Sequence, residues 1–326
     1  MPIYDLGYRG WEGRLVPEAG RFWAITTTGI RLAWQSRLLR RILAMASISI
    51  VYTGILFFVF EQASGYAKAM GGTPARFAQS GRGGGPIGTL QEMIPPVIPK
   101  SWYERLAGLD RHPWWSMLFW IFFRYPQPLA LAVVVGIVAP PLVAQDVRTR
   151  AFMLYFSRPI TRIEYILGKM ATVWAYLLMI TAVPALAMYA LGVFMSPPDS
   201  AVLKDTWDIP LRILAASAVL VVPTAALALA LSSLTSESRY AAFAWFAIWA
   251  VGWVTYAIYN GLLPKSEALP YWRLASLYHT LGEVQGYVIG LETNFATISA
   301  AATELAVITL VSLVILFRRV SSPMRI

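Results

Sequence analysis

Ile42-Leu43-Ala44-Met45-Ala46-Ser47-Ile48-Ser49-Ile50-Val51-Tyr52-Thr53-Gly54-Ile55-Leu56-Phe57-Phe58-Val59-Phe60 is a run of 19 residues without one charged side chain. As a helix it is about 28 Å long at ~1.5 Å per residue. That length matches the ~30 Å hydrocarbon core of a bilayer. Five further apolar runs follow, at about 129–144, 170–195, 211–231, 240–259 and 298–317. The chain has 326 residues, 57% of them hydrophobic and only 13% charged, and its mean hydropathy is +0.57. Soluble domains are about 45–50% apolar and about 25% charged. Because the apolar excess is gathered into runs of spanning length, the expected fold is an all-α integral membrane domain of six transmembrane helices. Pro184 and Pro223 fall inside runs, where spans tolerate a kink if neighbours satisfy the freed carbonyl.

Charge orients the spans. With the N-terminus inside, the inner segments are 1–41, 145–169, 232–239 and 318–326. Together they hold 16 Lys/Arg and 6 acidic residues, whereas the rest of the chain holds 11 of each. The entire net charge of +10 therefore lies on one face, as the positive-inside rule requires. The reading is a multi-pass protein of the lipid bilayer with both termini cytoplasmic, and topology, not a nucleic-acid partner, accounts for the charge. No cleavable signal peptide is expected, since residues 1–41 are polar, aromatic and basic.

Residues 1–41 read as a cytoplasmic interfacial segment. Trp23, Ile30, Trp34 and Leu38 recur at helical spacing beside Arg31, Arg37, Arg40 and Arg41, which suits a helix lying on an anionic leaflet. A soluble cap on the first span is the alternative. Outside, a long loop (61–128) contains a glycine-rich middle and ends in the apolar run Trp114 to Phe123. That run is too short to span. It reads as an interfacial or re-entrant helix with Trp114, Trp115 and Trp120 at headgroup depth, or as an extension of the second span across a proline kink. The outer segment 260–297 holds a second short helix, about 274–289, expected to lie on or dip into the membrane.

Several chemistries are excluded. There is no cysteine, and the two histidines, His112 and His279, are far apart, so no metal site is expected. The serine, aspartate and H-E-x-x-H constellations of intramembrane hydrolases are missing, and so is G-x-x-x-x-G-K-[ST]. The chain carries no catalytic residues, and any ATP chemistry belongs to another polypeptide.

The segment Gln145 to Lys169 carries more than orientation demands. It reads Gln145-Asp146-Val147-Arg148-Thr149-Arg150-Ala151-Phe152-Met153-Leu154-Tyr155-Phe156-Ser157-Arg158-Pro159-Ile160-Thr161-Arg162-Ile163-Glu164-Tyr165-Ile166-Leu167-Gly168-Lys169. Ala151 to Phe156 is apolar and aromatic in a loop that faces water, the mark of a protein contact. Ser157-Arg158-Pro159 breaks the helix, and Thr161 with Glu164 predicts a capping box that opens a new one. The result is helix, sharp turn, helix.

The pattern Leu154-x-x-Ser157-Arg158-Pro159-Ile160-Thr161-Arg162-x-Glu164-Tyr165-x-Leu167-Gly168-Lys169, following an acidic residue after a span, resembles the coupling region of ATP-binding-cassette (ABC) permeases of the second exporter type. The resemblance implies six spans, cytoplasmic termini, an N-terminal interfacial helix and short outer helices between the last two spans. It implies a coupling helix from about Asp146 to Phe156, seated in a cleft of a cytosolic ATPase. The contact residues would be Asp146, Arg148, Arg150, Phe152, Leu154, Tyr155, Phe156, Arg158, Arg162 and Glu164. It further implies a second permease copy or paralogue, ATP and Mg held by the partner ATPase rather than by this chain, export as the direction, and a prokaryotic inner or plasma membrane. An extracytoplasmic partner is a candidate for the outer loop. Glu304, beside Thr303 in the sixth span, is a candidate pathway residue by virtue of its intramembrane charge, or an interfacial carboxylate. The rival function is a membrane scaffold or mechanotransmitter coupled to an ATPase without transport.

Overall fold

The computed structural model describes residues 20–69, 111–151, 160–196, 201–262, 270–291 and 294–321. All regular structure among them is helical: α1 (Arg21–Trp34), α2 (Arg37–Ala69), α3 (Arg111–Arg124), α4 (Pro126–Arg148), α5 (Arg162–Ile180), α6 (Ala182–Met195), α7 (Val202–Asp205), α8 (Ile209–Leu234), α9 (Ser238–Leu262), a 3-10 turn at Pro270–Ala275, α10 (Leu277–Ile289) and α11 (Phe295–Ser321). Six stretches are long and apolar enough to cross a membrane: Arg37–Gln62, Arg111–Arg148, Arg162–Met195, Ile209–Leu234, Ser238–Tyr259 and Phe295–Ser321.

At the centre stands α8, a helix apolar on every side, as a helix surrounded by others must be. Ile213, Ala216, Leu220, Ala225 and Leu229 are all buried, and α8 packs on α4, α5, α9, α10 and α11. Elsewhere the apolar surface turns outward, through Met45, Ile48, Val51 and Ile55 on α2, Phe243 and Trp253 on α9, and Leu310 and Val314 on α11. In a spanning helix such faces meet lipid or another helix.

The run Trp114–Phe123 sits differently from a lipid-facing outer helix. Every one of its residues is buried, so Trp114, Trp115 and Trp120 meet protein rather than headgroups. Phe57 lies 5.3 Å from both Trp115 and Phe119, Phe60 stacks 5.1 Å from Trp114, and Tyr189 meets Trp115 at 5.6 Å. Trp115 Nε1 and the Arg111 guanidinium both donate to the buried Glu61 carboxylate. The helix runs end-on into α4 through Tyr125. Pro128 has no N–H for the Arg124 carbonyl, and the Tyr278 hydroxyl donates to it instead at 3.0 Å. The carbonyl freed by a proline is thus taken by a neighbouring helix, as a spanning segment requires. The Arg124 guanidinium returns the contact, donating to the Tyr278 carbonyl and lying 4.4 Å over its ring.

Helix α10 is likewise embedded, with His279, Glu283 and Gln285 among its buried residues. It ends at Gly290, whose φ of +92° closes the αL cap and whose missing side chain leaves room for Arg212. Arg212 donates to the Val288 carbonyl and to Asp208, and His112 Nε2 lies 3.0 Å from both Asp208 oxygens. Burial works to raise the Asp208 carboxyl, but His112 and Arg212 outweigh it and hold it below the usual aspartate range. A depressed carboxylate contributes stability above its unfolded pKa and loses it as the pH falls through the folded value. Asp208→Asn is therefore expected to lower the melting temperature at neutral pH. The difference from wild type should shrink below the ordinary aspartate range, as thermal unfolding in detergent would record.

Candidate functional site

The described parts of the 145–169 segment, 145–151 and 160–169, are two arms clasped at their base. The first arm is the last turn of α4. Asp146 and Arg148 thus extend the second-span helix rather than start a separate one, and Thr149 caps it. Arg150 follows at φ 52° and Ala151 closes the turn. The expected contact residues Phe152, Leu154, Tyr155, Phe156 and Arg158 lie outside the described residues. The second arm opens at Thr161. Its hydroxyl accepts from the Glu164 N–H, and the Glu164 carboxylate accepts from the Thr161 N–H at 2.6 Å, so the capping box read from the sequence is present. Arg162 is the first residue of α5.

Across the base, Asp146 Oδ2 accepts from the Tyr165 hydroxyl at 2.7 Å and from Lys169 Nζ at 2.7 Å. Lys169 Nζ also donates to the Leu142 carbonyl at 2.6 Å and lies 5.3 Å over the Tyr165 ring. Tyr165 and Lys169 share a helix face because they are four residues apart. Lys169 is 8% exposed, and a charge buried to that degree needs its partner. Asp146 is therefore engaged inside the hairpin, not presented at its tip. Arg148 points outward, and its nearest acid is Glu237 at 3.8 Å, in the turn between α8 and α9.

Two further elements brace the clasp. Ser232 of α8 takes the Ala144 N–H at 3.0 Å and donates to the Pro140 carbonyl at 2.6 Å. These are the two groups that would bond each other in an undisturbed helix, so the hydroxyl is threaded into the ladder of α4 beside Pro140-Pro141. On the other side, α1 lies along α5. Thr26 donates to the Gly168 carbonyl, the Tyr176 hydroxyl to the Ile30 carbonyl at 2.7 Å, and Trp34 stacks on Tyr176. Close approach depends on two glycines: a Cβ on Gly168 would stand 2.8 Å from Ile25 Cβ, and one on Gly29 2.5 Å from the Thr172 hydroxyl. Small residues at such crossings let membrane helices meet. Gly168→Leu is expected to destabilise the protein by about 1–3 kcal/mol. Gly54→Leu, which meets open space, is expected to be near neutral in the same detergent melts. Of the expected stripe, Trp23, Trp34 and Leu38 are exposed, and Ile30 is partly buried against the core.

Glu304 and Thr303 belong to neither the hairpin nor its braces. Glu304 is the tenth residue of α11, half-buried, with Thr280 of α10 donating to it at 3.4 Å. It borders an open groove of about 670 Å³ with Ser299, Ala300 and Thr303. Among the described residues no cluster of three or more His, Cys, Asp or Glu is arranged to hold a metal.

Sequence reasoning placed Asp146 in the site but missed Tyr165, Lys169 and Ser232. A lysine at the mouth of a span was the available signal. Ser232, in the inner segment 232–239, carried no such signal.

Six helical spans with a clasped basic hairpin between the second and third define a polytopic membrane protein with one specialised polar end. A family model described as ABC-2 family transporter protein matches residues 44–319, and the chain belongs to that family. The protein is thus a permease-type membrane component of an ABC transporter. No curated protein and no solved structure matches the chain.

Proposed function

We propose that this chain is the membrane-spanning subunit of an ATP-driven exporter, working as a permease pair with two cytosolic ATPase subunits. Both termini and the 145–169 hairpin face the cytoplasm, in line with the segregated charge of the sequence. Residues from Arg148 to Phe156 form the contact with the ATPase above the Asp146 clasp, with Phe152, Leu154, Tyr155 and Phe156 as apolar anchors and Arg148, Arg150, Arg158 and Arg162 as a basic rim. ATP-driven closure pushes on the tip, and the helices rock to open a path at the permease interface. Glu304 and Thr303 lie beside that path. The ATP and Mg reside on the partner, since the sequence has no P-loop.

The observation that carries this reading is the Asp146–Tyr165–Lys169 clasp. A tip that must pass a push into the membrane needs a base that does not spread. Here both arms are tied by a buried ion pair and braced by α1 and α8.

Two measurements test the proposal. Purification of the chain from its native membrane should recover a P-loop ATPase. Reconstituted together, the pair should hydrolyse ATP at a rate that changes with a transported lipid, peptide, ion or drug. A recovered ATPase that responds to no member of such a panel would favour the scaffold or mechanotransmitter reading.

A further inference from the structure

Glu304 lies about 14 Å along α11 from Phe295, on the border of the groove of about 670 Å³. Ligand pockets commonly measure about 300–1,000 Å³. Among the described residues its one hydrogen-bond partner is the Thr280 hydroxyl, which reaches Oε2 and leaves Oε1 without a donor. Glu304 is the one charged residue in the lining. The charges on the elements packed against α11, namely α5, α8, α10 and the 3-10 turn, are engaged elsewhere. Arg273 pairs with Glu283 at 3.1 Å, Arg212 with Asp208 at 2.6 Å and Lys169 with Asp146 at 2.7 Å. Arg162 and Glu164 stand at the hairpin end of α5, and His279 stacks on Tyr256. On α11 itself, Arg318 and Arg319 are about 21 Å further along the helix. Carboxylates within spans pair with a cation or face a polar path, and this one has no cation of its own chain among the described residues.

The hydroxyls beside it are acceptors too. Ser299 donates its proton to the Ala296 carbonyl at 3.0 Å, and Thr303 donates to the Ser299 carbonyl at 2.7 Å. Each then offers the groove only lone pairs. Past Glu304 the same face becomes apolar: Val307, Val311 and Val314 are exposed and extend about 15 Å from it. We infer that this groove binds a single-chain amphiphile with a primary ammonium head drawn from the membrane, its head at Glu304, Ser299 and Thr303 and its chain along the three valines. An ammonium supplies the missing positive charge and three donors. A trimethylammonium supplies the charge without a donor, and an alcohol a donor without the charge. The inference names a ligand class for the groove that the exporter proposal sets beside its path; it rests on that reading for transport, but not for binding.

Native mass spectrometry of the detergent-purified chain, titrated separately at neutral pH with dodecylamine, dodecyltrimethylammonium and dodecanol, tests the assignment. The expected result is one dodecylamine per chain, held about tenfold more tightly than either of the others. Glu304→Gln keeps the shape and removes the charge, and Ala300→Lys sets an internal ammonium one turn from the carboxylate. Each is expected to bring the ratio close to one. The unliganded melting temperature should stay at or above wild type, since both relieve an unpaired charge. Equal retention of the three amphiphiles, retention of none, as a groove closed by a neighbouring helix would give, or a preference surviving in either variant overturns the inference. The measurement uses no ATPase, so each of these outcomes leaves the permease proposal standing. A chain that holds dodecylamine but recovers no ATPase would overturn that proposal alone.

Discussion

Replacing Phe152 and Tyr155 together by aspartate is expected to release the ATPase subunit altogether. The two aromatics sit between Arg148 and Arg150 on one side and Arg158 and Arg162 on the other, an arrangement of apolar anchors within a charged rim. Anchors of this kind commonly cost about 2 kcal/mol or more each when removed. Two of them correspond to a loss of affinity on the order of a thousandfold, before the cost of pressing two carboxylates into an apolar cleft is counted. Arg148→Ala, which removes an exposed rim charge, should change affinity by about 0–1 kcal/mol. Pull-down of the ATPase with the tagged chain, followed by assay of ATP hydrolysis in the eluate, distinguishes the two. Full retention of the ATPase by the double variant would sink the placement of the contact at the hairpin tip.

Lys169→Met carries the second large effect. It leaves the Asp146 carboxylate at the hairpin base with the Tyr165 hydroxyl but no cation, in a site where the side chain is 14% exposed. Breaking a buried ion pair from one side costs about 3–5 kcal/mol, whereas replacing the whole pair with apolar residues of similar volume is often neutral or better. The single variant should therefore melt far below wild type in detergent. The triple variant Asp146→Leu, Tyr165→Phe and Lys169→Met should recover most of that stability. Coupling should separate from stability at this point. The triple variant is expected to bind the ATPase through an intact tip yet transmit poorly, giving hydrolysis that no longer responds to substrate. A Lys169→Met protein within about 0.5 kcal/mol of wild type, the range of ordinary surface changes, would refute the clasp.

Which of these features were legible without coordinates follows from the range of the forces involved. Spans announce themselves because a bilayer sets a length and forbids charge along it, and α2, α8, α9 and α11 needed nothing more. The Thr161–Glu164 box was equally legible, being complete within four residues. The surroundings of Trp114–Phe123 were not. Ten apolar residues look the same whether lipid or protein surrounds them, and the answer depends on Phe57, Phe60 and Tyr189, which lie tens of residues away. Tyr165 and Lys169 suffered from the same blindness. Lys169 looked like one more positive residue at a membrane boundary until Asp146, from the preceding span, was found against it.

Ser232 has one more consequence. By standing between the Pro140 carbonyl and the Ala144 N–H, it makes the backbone of one span incomplete without the side chain of another. Pulling α4 from α8 at that level would bare two main-chain groups to hydrocarbon, where no water waits to receive them. The second and fourth spans are in that sense spliced. With α1 fastened to α5 and α5 clasped to α4, the splice makes α1, α4, α5 and α8 one unit.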